Sequence, residues 1–254
     1  MNSVGIEEQE LNEVSWWSHW GDVSWLGEGV YVITSASFPE PLFNHATVLG
    51  EVSDVDMAIQ KALGRFRDAG VRPSFFVIDD PRFVPLRIKL ESAGYTTVDT
   101  MEVLAAEARH PIDNESIEIV RVVSDVHDWV SAYLRSFYGD GGPEEEVEGV
   151  AKRAVRDKDV SLVLAKRGKE VVGGMALLRR GGLLGAYCVG TLPEHRRLGV
   201  ASGMLSYASN QAKEQGMTLV LQTFAEDHVE GFYLKNGFRK VYGKSVLSTG
   251  AELR

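Results

Sequence analysis

The sequence predicts an α/β (α+β) fold divided into two domains. The chain has 254 residues, enough for one large domain or two small ones. Segments with strand and helix patterns alternate along its whole length. Residues 1–113 hold 18 acidic and 8 basic side chains, whereas residues 114–254 hold 18 and 19. This asymmetry favours two domains, 1–113 and 114–254, separated by the polar, proline-containing segment 105–116.

The first half of the chain carries patterns of both helix and strand. In residues 7–20 the apolar side chains of Leu11, Val14 and Trp17 recur at a spacing of three, which indicates a helix. Ser53 can cap a second helix, and Gly70 can end it in the left-handed conformation. The predicted helices are 7–20, 53–69 and 84–92, and the predicted strands are 27–35, 74–78 and 95–104.

The second half has more strands and two hairpin connections. Arg167-Gly168-Lys169 and residues 179–182 are short turns between strand patterns, as hairpins require. A helix after Pro193 carries an apolar stripe that includes Met204 and Leu205. The predicted strands are 117–123, 161–166, 170–178, 183–189, 217–222 and 238–246, and the predicted helices are 125–137, 144–156, 193–215 and 227–235.

Composition and charge exclude several classes of protein. Hydrophobic residues make up 44% and charged residues 25%, so the chain is neither mainly disordered nor fibrous. The longest apolar run, residues 171–178, is far shorter than the roughly 20 residues that cross a bilayer. The acidic N-terminus lacks the pattern of a signal peptide, so we expect a cytoplasmic protein with no membrane contact. A net charge of −9 argues against nucleic acid as a partner.

The segment VGTLPEHRRLGVAS, residues 189–202, carries the clearest chemical pattern. A predicted strand runs into a proline turn, a glycine-bearing loop and an amphipathic helix. The first turn of a helix has unpaired backbone N–H groups and a partial positive charge, which favour a phosphate there. Gly199 and Ala201 keep the loop bare, and Arg196 and Arg197 add positive charge. The segment is neither a Walker A loop nor a dinucleotide-binding motif.

A second segment, GFYLKNGFRKV at residues 231–241, follows in the order of a short helix and a strand. Tyr233 lies on the helix, which Gly237 can end, and Phe238 enters the last strand. The two segments together resemble the GCN5-related N-acetyltransferase (GNAT) superfamily. Its acetyl-CoA motif, [R/Q]-x-x-G-x-[G/A], corresponds to residues 196–201, and its later tyrosine and Gly-Phe ending correspond to residues 233–238.

The resemblance covers about residues 116–248 and implies a definite fold. It predicts a mixed, mostly antiparallel sheet whose central strands splay apart to admit acetyl-CoA, with helices on both faces. The backbone of Val189, Gly190 and Thr191 would hold the pantetheine arm. The pyrophosphate would be held by the loop and helix start, namely Arg196, Arg197, Leu198, Gly199, Val200, Ala201 and Ser202. The co-substrate is acetyl-CoA, and no metal is expected.

The implied reaction is transfer of an acetyl group to a primary amine by direct attack. Tyr233 would be the catalytic residue, because a phenol with a pKa near 10 can donate a proton to the leaving thiolate. Two departures from the family pattern limit this analogy. Glu226 replaces an asparagine that often binds the pantetheine arm, and the strand at 183–189 lacks the acid that often serves as base.

The sequence leaves the identities of the general base and of the acceptor open. Glu226, Asp227, His228 and Glu194 are candidate bases, and an amine that arrives neutral is the alternative. The acceptor is a small-molecule amine or a peptide, and the chain is a monomer or a homodimer. Two other functions are a non-catalytic CoA-binding sensor or interaction module and an acyltransferase for a longer acyl-CoA.

The first half contains a fainter version of the same pattern. Ala93-Gly94-Tyr95 ends a helix and opens a return strand, as the Gly-Phe ending does in the second half. No [R/Q]-x-x-G-x-[G/A] motif occurs in residues 1–110, so we expect no acetyl-CoA site there. The interpretations are a degenerate GNAT-like half in a tandem protein or a separate α/β cap.

Four other features give no clear sign of chemistry. Cys188 lacks any sign of an activating partner, so we interpret it as a small buried side chain. The six histidines have no metal-ligand spacing. Four tryptophans fall within residues 16–25, where they either pack in the core or line a pocket or partner surface. Residues 43–45 lie between helix breakers, as a plain loop or as part of a cleft.

Overall fold

The computed structural model describes residues 5–106, 117–139 and 141–250. The contacts between residues divide the chain into two compact units. The N-terminal unit comprises Met1–Leu104, Gln222–Gly231 and Lys240–Arg254. The C-terminal unit comprises Ala105–Leu221 and Phe232–Arg239. This division differs from the expected segments 1–113 and 114–254, since two late segments of the chain pack with the first unit.

The elements of the N-terminal unit follow the alternation that the sequence predicts. In chain order they are α1 (Ile6–Trp17), β1 (Asp22–Trp25), β2 (Val30–Thr34), β3 (His45–Val48), α2 (Val55–Ala69), β4 (Ser74–Ile78), α3 (Val84–Ser92) and β5 (Thr96–Ala106). Strands β1, β2 and β3 pair antiparallel, and β3 pairs parallel with β4 across the crossover helix α2.

The elements that follow the undescribed segment 107–116 belong mainly to the C-terminal unit, although most of the last strand belongs to the N-terminal one. They are β6 (Glu118–Arg121), α4 (His127–Phe137), α5 (Glu144–Ala154), β7 (Val160–Arg167), β8 (Glu170–Arg180), β9 (Leu183–Thr191), α6 (Val200–Glu214), β10 (Thr218–Phe224), α7 (Glu230–Lys235) and β11 (Phe238–Ser248). Strands β6 to β9 pair antiparallel in order, and β9 pairs parallel with β10 across α6.

The last strand ends in the N-terminal unit. Residues Lys244–Ser248 of β11 pair antiparallel with Ser74–Ile78 of β4. The side chains of Val246 and Leu247 in this stretch are fully buried. The first unit is therefore completed by the end of the chain, a pairing that no local pattern in the sequence predicts.

The two units repeat one order of elements. In each, two successive antiparallel pairings lead to a strand that pairs parallel with the next across one helix: β1-β2-β3-α2-β4 in the first unit and β7-β8-β9-α6-β10 in the second. A short helix and a long strand follow in both cases. The two units therefore share one order of elements, and the interpretation of the first half as a degenerate copy stays a prediction.

Local sequence accounts for the ends of α2. The side chain of Asp54, rather than the expected Ser53, caps the helix start by accepting a hydrogen bond from the backbone N–H of Met57 at 2.9 Å. Gly70 ends the helix with φ of +69°, a conformation that costs glycine little. Between these ends, Ile59, Ala62 and Phe66 lie buried against the sheet of the N-terminal unit.

Two strands of the N-terminal unit are absent from the sequence prediction. β1 has only four residues at the edge of the sheet, and β3 follows a proline-rich stretch that reads as a loop. The amide of Asn44 stabilises that stretch, since its Oδ1 accepts from the Ser35 backbone and its Nδ2 donates to the carbonyl oxygen of Phe38. Residues 43–45 are thus buried and ordered rather than a plain loop, with His45 opening β3.

The tryptophans of residues 16–25 divide between core and surface. Trp16, Trp17 and Trp20 are buried, and Trp17 and Trp20 pack edge-on or tilted against Phe43. Trp25, in contrast, is 68% exposed. Core packing therefore explains three of the four tryptophans.

No helix within the described ranges is both long enough and apolar enough to cross a membrane.

Candidate functional site

The site begins where β9 and β10 stop pairing. Their parallel register joins residues 183–185 of β9 to 218–220 of β10 and ends at the pair of Val220 and Gly185. β9 itself continues to Thr191. The backbone from Ala186 to Thr191 therefore has no partner in β10, as the splayed strands of the predicted fold require. Val189, Gly190 and Thr191, the residues expected to hold a pantetheine arm, lie at the end of this stretch.

A bulge in β9 changes the direction of this free stretch. The register with β8 shifts between Gly174 and Ala176, so that Cys188 and Val189 together oppose Met175. Cys188 has φ of +52°, in the left-handed region that non-glycine residues rarely adopt. Such a conformation costs about 1–3 kcal/mol and concentrates at functional sites. This conformation could not be predicted from the sequence, because cysteine is not a residue that favours positive φ.

The thiol of Cys188 is not available as a nucleophile. Burial raises the pKa of Cys188, so the side chain stays protonated at neutral pH. A protonated thiol is a weak nucleophile, and the thiolate is the reactive form. Cys188 is half-buried, so its interpretation as a small buried side chain holds only in part.

Gly190 allows the C-terminal end of α4 to lie directly on β9. A Cβ on Gly190 would stand 2.7 Å from the Cβ of Ser136 and 3.0 Å from the ring of Phe137. A Cβ on Gly173, in β8, would stand 2.5 Å from the carbonyl oxygen of Gly190. Both distances are too short for a real side chain, so glycine is required at these positions by packing alone.

The loop after β9 is shaped by two residues with positive φ. Arg197 has φ of +63° and Gly199 has φ of +81°. The guanidinium of Arg196 donates from Nη2 to the carbonyl oxygen of Ser136 at 2.9 Å and from Nε to that of Thr191 at 3.4 Å. Arg196 thus ties the loop to α4 and to the end of β9, whereas Arg197 and Leu198 are exposed.

Helix α6 begins at a residue that has no side chain to cap it. Gly199 is its N-cap residue, and the first turn holds no acidic residue. Val200, Ala201 and Ser202 form the turn. Since the first N–H groups of a helix need partners and carry partial positive charge, this N-terminus suits an anionic group.

The corresponding helix start in the N-terminal unit has the opposite character. In α2 the carboxylate of Asp54 accepts from the N–H of Met57, and Asp56 adds a second negative charge in the first turn. These carboxylates lie where a phosphate would bind, and their negative charge would repel it. The structural difference agrees with the absence of the acetyl-CoA motif from residues 1–110.

Tyr233 lies on α7 and belongs to the C-terminal unit with β9 and α6. Its ring is 9% exposed and packs edge-on against Phe232 and Phe238, at 5.3 and 5.8 Å between centroids. The ring is therefore held in a fixed position by the Gly-Phe ending that the sequence singled out.

The four candidate general bases differ in their surroundings and in the unit to which they belong. Glu194 lies 2.5 Å from the guanidinium of Arg135. A backbone hydrogen bond and this arginine lower the pKa of Glu194, which makes it a weaker base. Glu226, Asp227 and His228 are exposed and belong by their contacts to the N-terminal unit. Within the described ranges, no group of three His, Cys, Asp or Glu side chains could hold a metal ion.

The structure thus brings together the end of β9, the loop and the start of α6, with α4 packed beside them. The role of Ser136 was missed by sequence reasoning, as was the bulge at Cys188. The only available signal was the pair of glycines, Gly173 and Gly190, at packed strand positions.

Comparison with known proteins agrees with this geometry. Residues 158–240 match the acetyltransferase (GNAT) domain family. The fold is similar to that of a GCN5-related N-acetyltransferase from Kribbella flavida, with a TM-score of 0.72, 17% identity and 98% of both chains covered. A GCN5-related N-acetyltransferase from Sphaerobacter thermophilus gives a TM-score of 0.64 at 15% identity, over 88% of this chain and 81% of that one.

A third similar structure carries no functional description. A functionally unknown conserved protein from Staphylococcus epidermidis ATCC 12228 gives a TM-score of 0.69 at 15% identity, over 89% of this chain and 93% of that one. No curated protein sequence matches the chain. The structural likeness confirms the predicted fold class across nearly the whole chain.

Proposed function

The chain has the fold of the GCN5-related N-acetyltransferases and carries their domain at residues 158–240; on that premise, we propose that it transfers an acetyl group from acetyl-CoA to a primary amine. The observation that carries the proposal is the start of α6, with glycine as its N-cap and no acid in its first turn, close after the end of β9 that has no partner in β10. A phosphate-binding helix start beside a free strand edge suits a ligand with a pyrophosphate and an amide-containing arm.

The residues that would hold acetyl-CoA are those that the sequence singled out. The free backbone of Val189, Gly190 and Thr191 would pair with the amides of the pantetheine arm. The N–H groups of Val200, Ala201 and Ser202, with the bare backbone at Gly199, would bind the pyrophosphate. Arg197 and Leu198 are exposed on the same loop, where the guanidinium of Arg197 adds positive charge.

Arg196 has a different task in this proposal. Its guanidinium is engaged with the carbonyl oxygens of Ser136 and Thr191. It therefore fixes the shape of the loop and contributes to the pyrophosphate through its backbone. The left-handed conformation at Cys188 forms the bulge in β9, beyond which Gly190 and Thr191 resume pairing with β8.

The reaction needs one proton acceptor and one donor. The amine nitrogen attacks the thioester carbonyl carbon, a C–N bond forms, the C–S bond breaks, and the amine loses a proton. Tyr233 donates its phenolic proton to the leaving thiolate, and the proton released by the amine restores the neutral state of the site. Glu194 is unsuited as base because a backbone hydrogen bond, together with Arg135, lowers its pKa. The acceptor enters as a small-molecule amine or as the amine of a peptide.

We further propose one acetyl-CoA site per chain, in the C-terminal unit. The acidic, capped start of α2 supports a degenerate N-terminal GNAT-like unit. Isothermal titration of the full chain with acetyl-CoA should give one site. Thiol release across a panel of amines should then identify an acceptor. Binding without thiol release from any amine would favour a CoA-binding sensor, and absence of binding would refute the proposal.

A further inference from the structure

A cavity of about 210 Å³ lies in the N-terminal unit. It opens at the carboxyl ends of the parallel strands β3 and β4, where ligands commonly bind in α/β sheets. Its wall is formed by residues after β3, by the start of α2 and by the segment that leads into α3. The lining side chains are chiefly apolar and include Val48, Val52, Val55, Ala58, Phe83 and Leu86.

The size of the cavity limits what it can hold. An engineered apolar cavity of about 150 Å³ binds benzene. A volume of 210 Å³ therefore has room for a body a little larger than a benzene ring. The carboxylate of Asp54 occupies the first turn of α2 at the edge of the same wall, so that turn is not open to a phosphate. The ligand is consequently small, apolar in its body and free of phosphate.

Two charged side chains, Glu51 and Arg82, also line the cavity. The guanidinium of Arg82 is engaged with Asp80, at 2.9 Å from Nε to Oδ1 and 3.2 Å from Nη2 to Oδ2. Glu51 is exposed and forms no hydrogen bond or ion pair with any residue that the structure describes. Arg82 is thus already neutralised, whereas the carboxylate of Glu51 is open to a ligand.

The surroundings of Arg82 carry an excess of negative charge. The hydrogen bond with Asp80, together with the charges of Asp80, Glu7 and Glu51, raises the pKa of Arg82. Three carboxylates therefore act on one guanidinium at this rim. Lys89, on α3, is paired with Asp56 at 2.8 Å and adds no free positive charge. A cationic group on a ligand would compensate this excess of negative charge.

From the apolar wall and the open carboxylate, we propose that this cavity is a binding site for a small amine with an apolar body, its ammonium group paired with Glu51. The site is distinct from the acetyl-CoA site and does not depend on the proposed transfer reaction. It gives the N-terminal unit a ligand-binding role of its own.

The test compares three probes of similar size and different charge on the full chain: 2-phenylethylamine, 2-phenylethanol and phenylacetate. Titration calorimetry should show 2-phenylethylamine binding at least tenfold more tightly than either of the others. Equal or tighter binding of the alcohol or the carboxylate would overturn the assignment of charge. Absence of binding by all three would overturn the site.

Variants locate the binding. Glu51→Gln should weaken 2-phenylethylamine about tenfold, whereas Glu91→Gln, at an exposed acid of α3 outside the cavity, should leave its affinity within twofold. Val52→Phe should fill the cavity and abolish binding, with Val123→Phe at an exposed position as control. Unchanged affinity in Glu51→Gln would overturn the proposal even if Val52→Phe failed to fold. Acetyl-CoA affinity, measured on the same variants, should stay unchanged, which separates this site from the proposed function.

Discussion

The Nζ atom of Lys244 lies 2.5 Å from Oε2 of Glu13, with both side chains at most 4% exposed. Glu13 is on the first helix, α1, and Lys244 is on the last strand, β11. Glu10 lies 3.1 Å from the same ammonium group and also accepts from the hydroxyl of Tyr242 at 2.6 Å. The two ends of the chain are therefore joined inside the N-terminal unit by a buried network of charges.

The protonation of this network follows from burial and pairing. Burial by itself would lower the pKa of Lys244, but the charges of Glu10 and Glu13 outweigh it, so its pKa is raised. Burial raises the pKa of Glu13, with Glu10 adding to the effect and Lys244 opposing it. Lys244 therefore stays charged at neutral pH and is required to balance the buried carboxylates.

Lys244→Met should destabilise the protein by about 3–5 kcal/mol, because it leaves two buried carboxylates without their cation. Urea unfolding at pH 7, followed by circular dichroism, measures the change. The triple variant with Glu10→Gln and Glu13→Gln should recover most of the loss. Lys152→Met, which breaks the exposed ion pair of Lys152 with Glu148, is the control and should change little. A single variant as stable as the wild type would show that the network contributes no stability.

His45 should make the protein sensitive to acid. Its ring stacks on Phe76 at 3.8 Å and its Nδ1 lies 2.9 Å from the carbonyl oxygen of Leu42. Burial, with the nearby charge of Lys244, lowers the pKa of His45 from 6.5 to about 3. Because the pKa is depressed in the folded state, stability is present above pH 6.5 and is lost as the pH falls toward 3.

His45→Gln should remove this dependence. The difference in unfolding free energy between wild type and variant should change by about 1.4 kcal/mol per pH unit between pH 6 and 4. Chemical denaturation at a series of pH values measures it. His127→Gln, at an exposed histidine, should show no such slope. Parallel curves for wild type and His45→Gln would mean that the ring is protonated in the folded protein.

Gly199→Glu should abolish acetyl-CoA binding. The substitution places a carboxylate at the start of α6, where the first turn holds no acid, and a side chain at φ of +81°. Titration calorimetry should show at least a hundredfold loss of affinity. Gly216→Glu is a matched control, since Gly216 follows the other end of α6 with φ of +66° and no atom within 4 Å of a Cβ. A folded Gly199→Glu protein with normal affinity would refute the assignment of the pyrophosphate loop.

Tyr233→Phe should separate catalysis from packing. The phenylalanine ring keeps the contacts with Phe232 and Phe238 but cannot donate a proton. General acid catalysis typically contributes 10²–10⁴-fold, about 3–5 kcal/mol of barrier. We expect kcat to fall by that order with acetyl-CoA affinity unchanged, measured by steady-state rates against pH and by calorimetry. Tyr207→Phe, on α6, is the control; a rate for Tyr233→Phe within about threefold of wild type would reassign Tyr233 to packing.

Most elements of the fold follow from local sequence. The amphipathic spacing of α6 and α2, the Asp54 region before α2 and the glycines at 70 and 237 all act over a few residues. The strand–loop–helix segment at residues 189–202 can likewise be recognised from local sequence, because a helix start binds an anion through its own backbone. These patterns were enough to predict the alternation of elements and the place of the candidate acetyl-CoA site.

Tertiary structure decided the features that depend on distant partners. The pairing of β11 with β4 joins segments more than a hundred residues apart. The hydrophobic pattern of a strand does not predict which other strand will pair with it. Glu10 resembles an ordinary acid of a helix start, yet Lys244 and Tyr242 make it a buried one. Arg196 looks like a phosphate ligand, but carbonyl groups of Ser136 and Thr191 hold its guanidinium. In each case the side chain's role is set by the group that packing brings to it, because charge and hydrogen bonding act through space rather than along the chain.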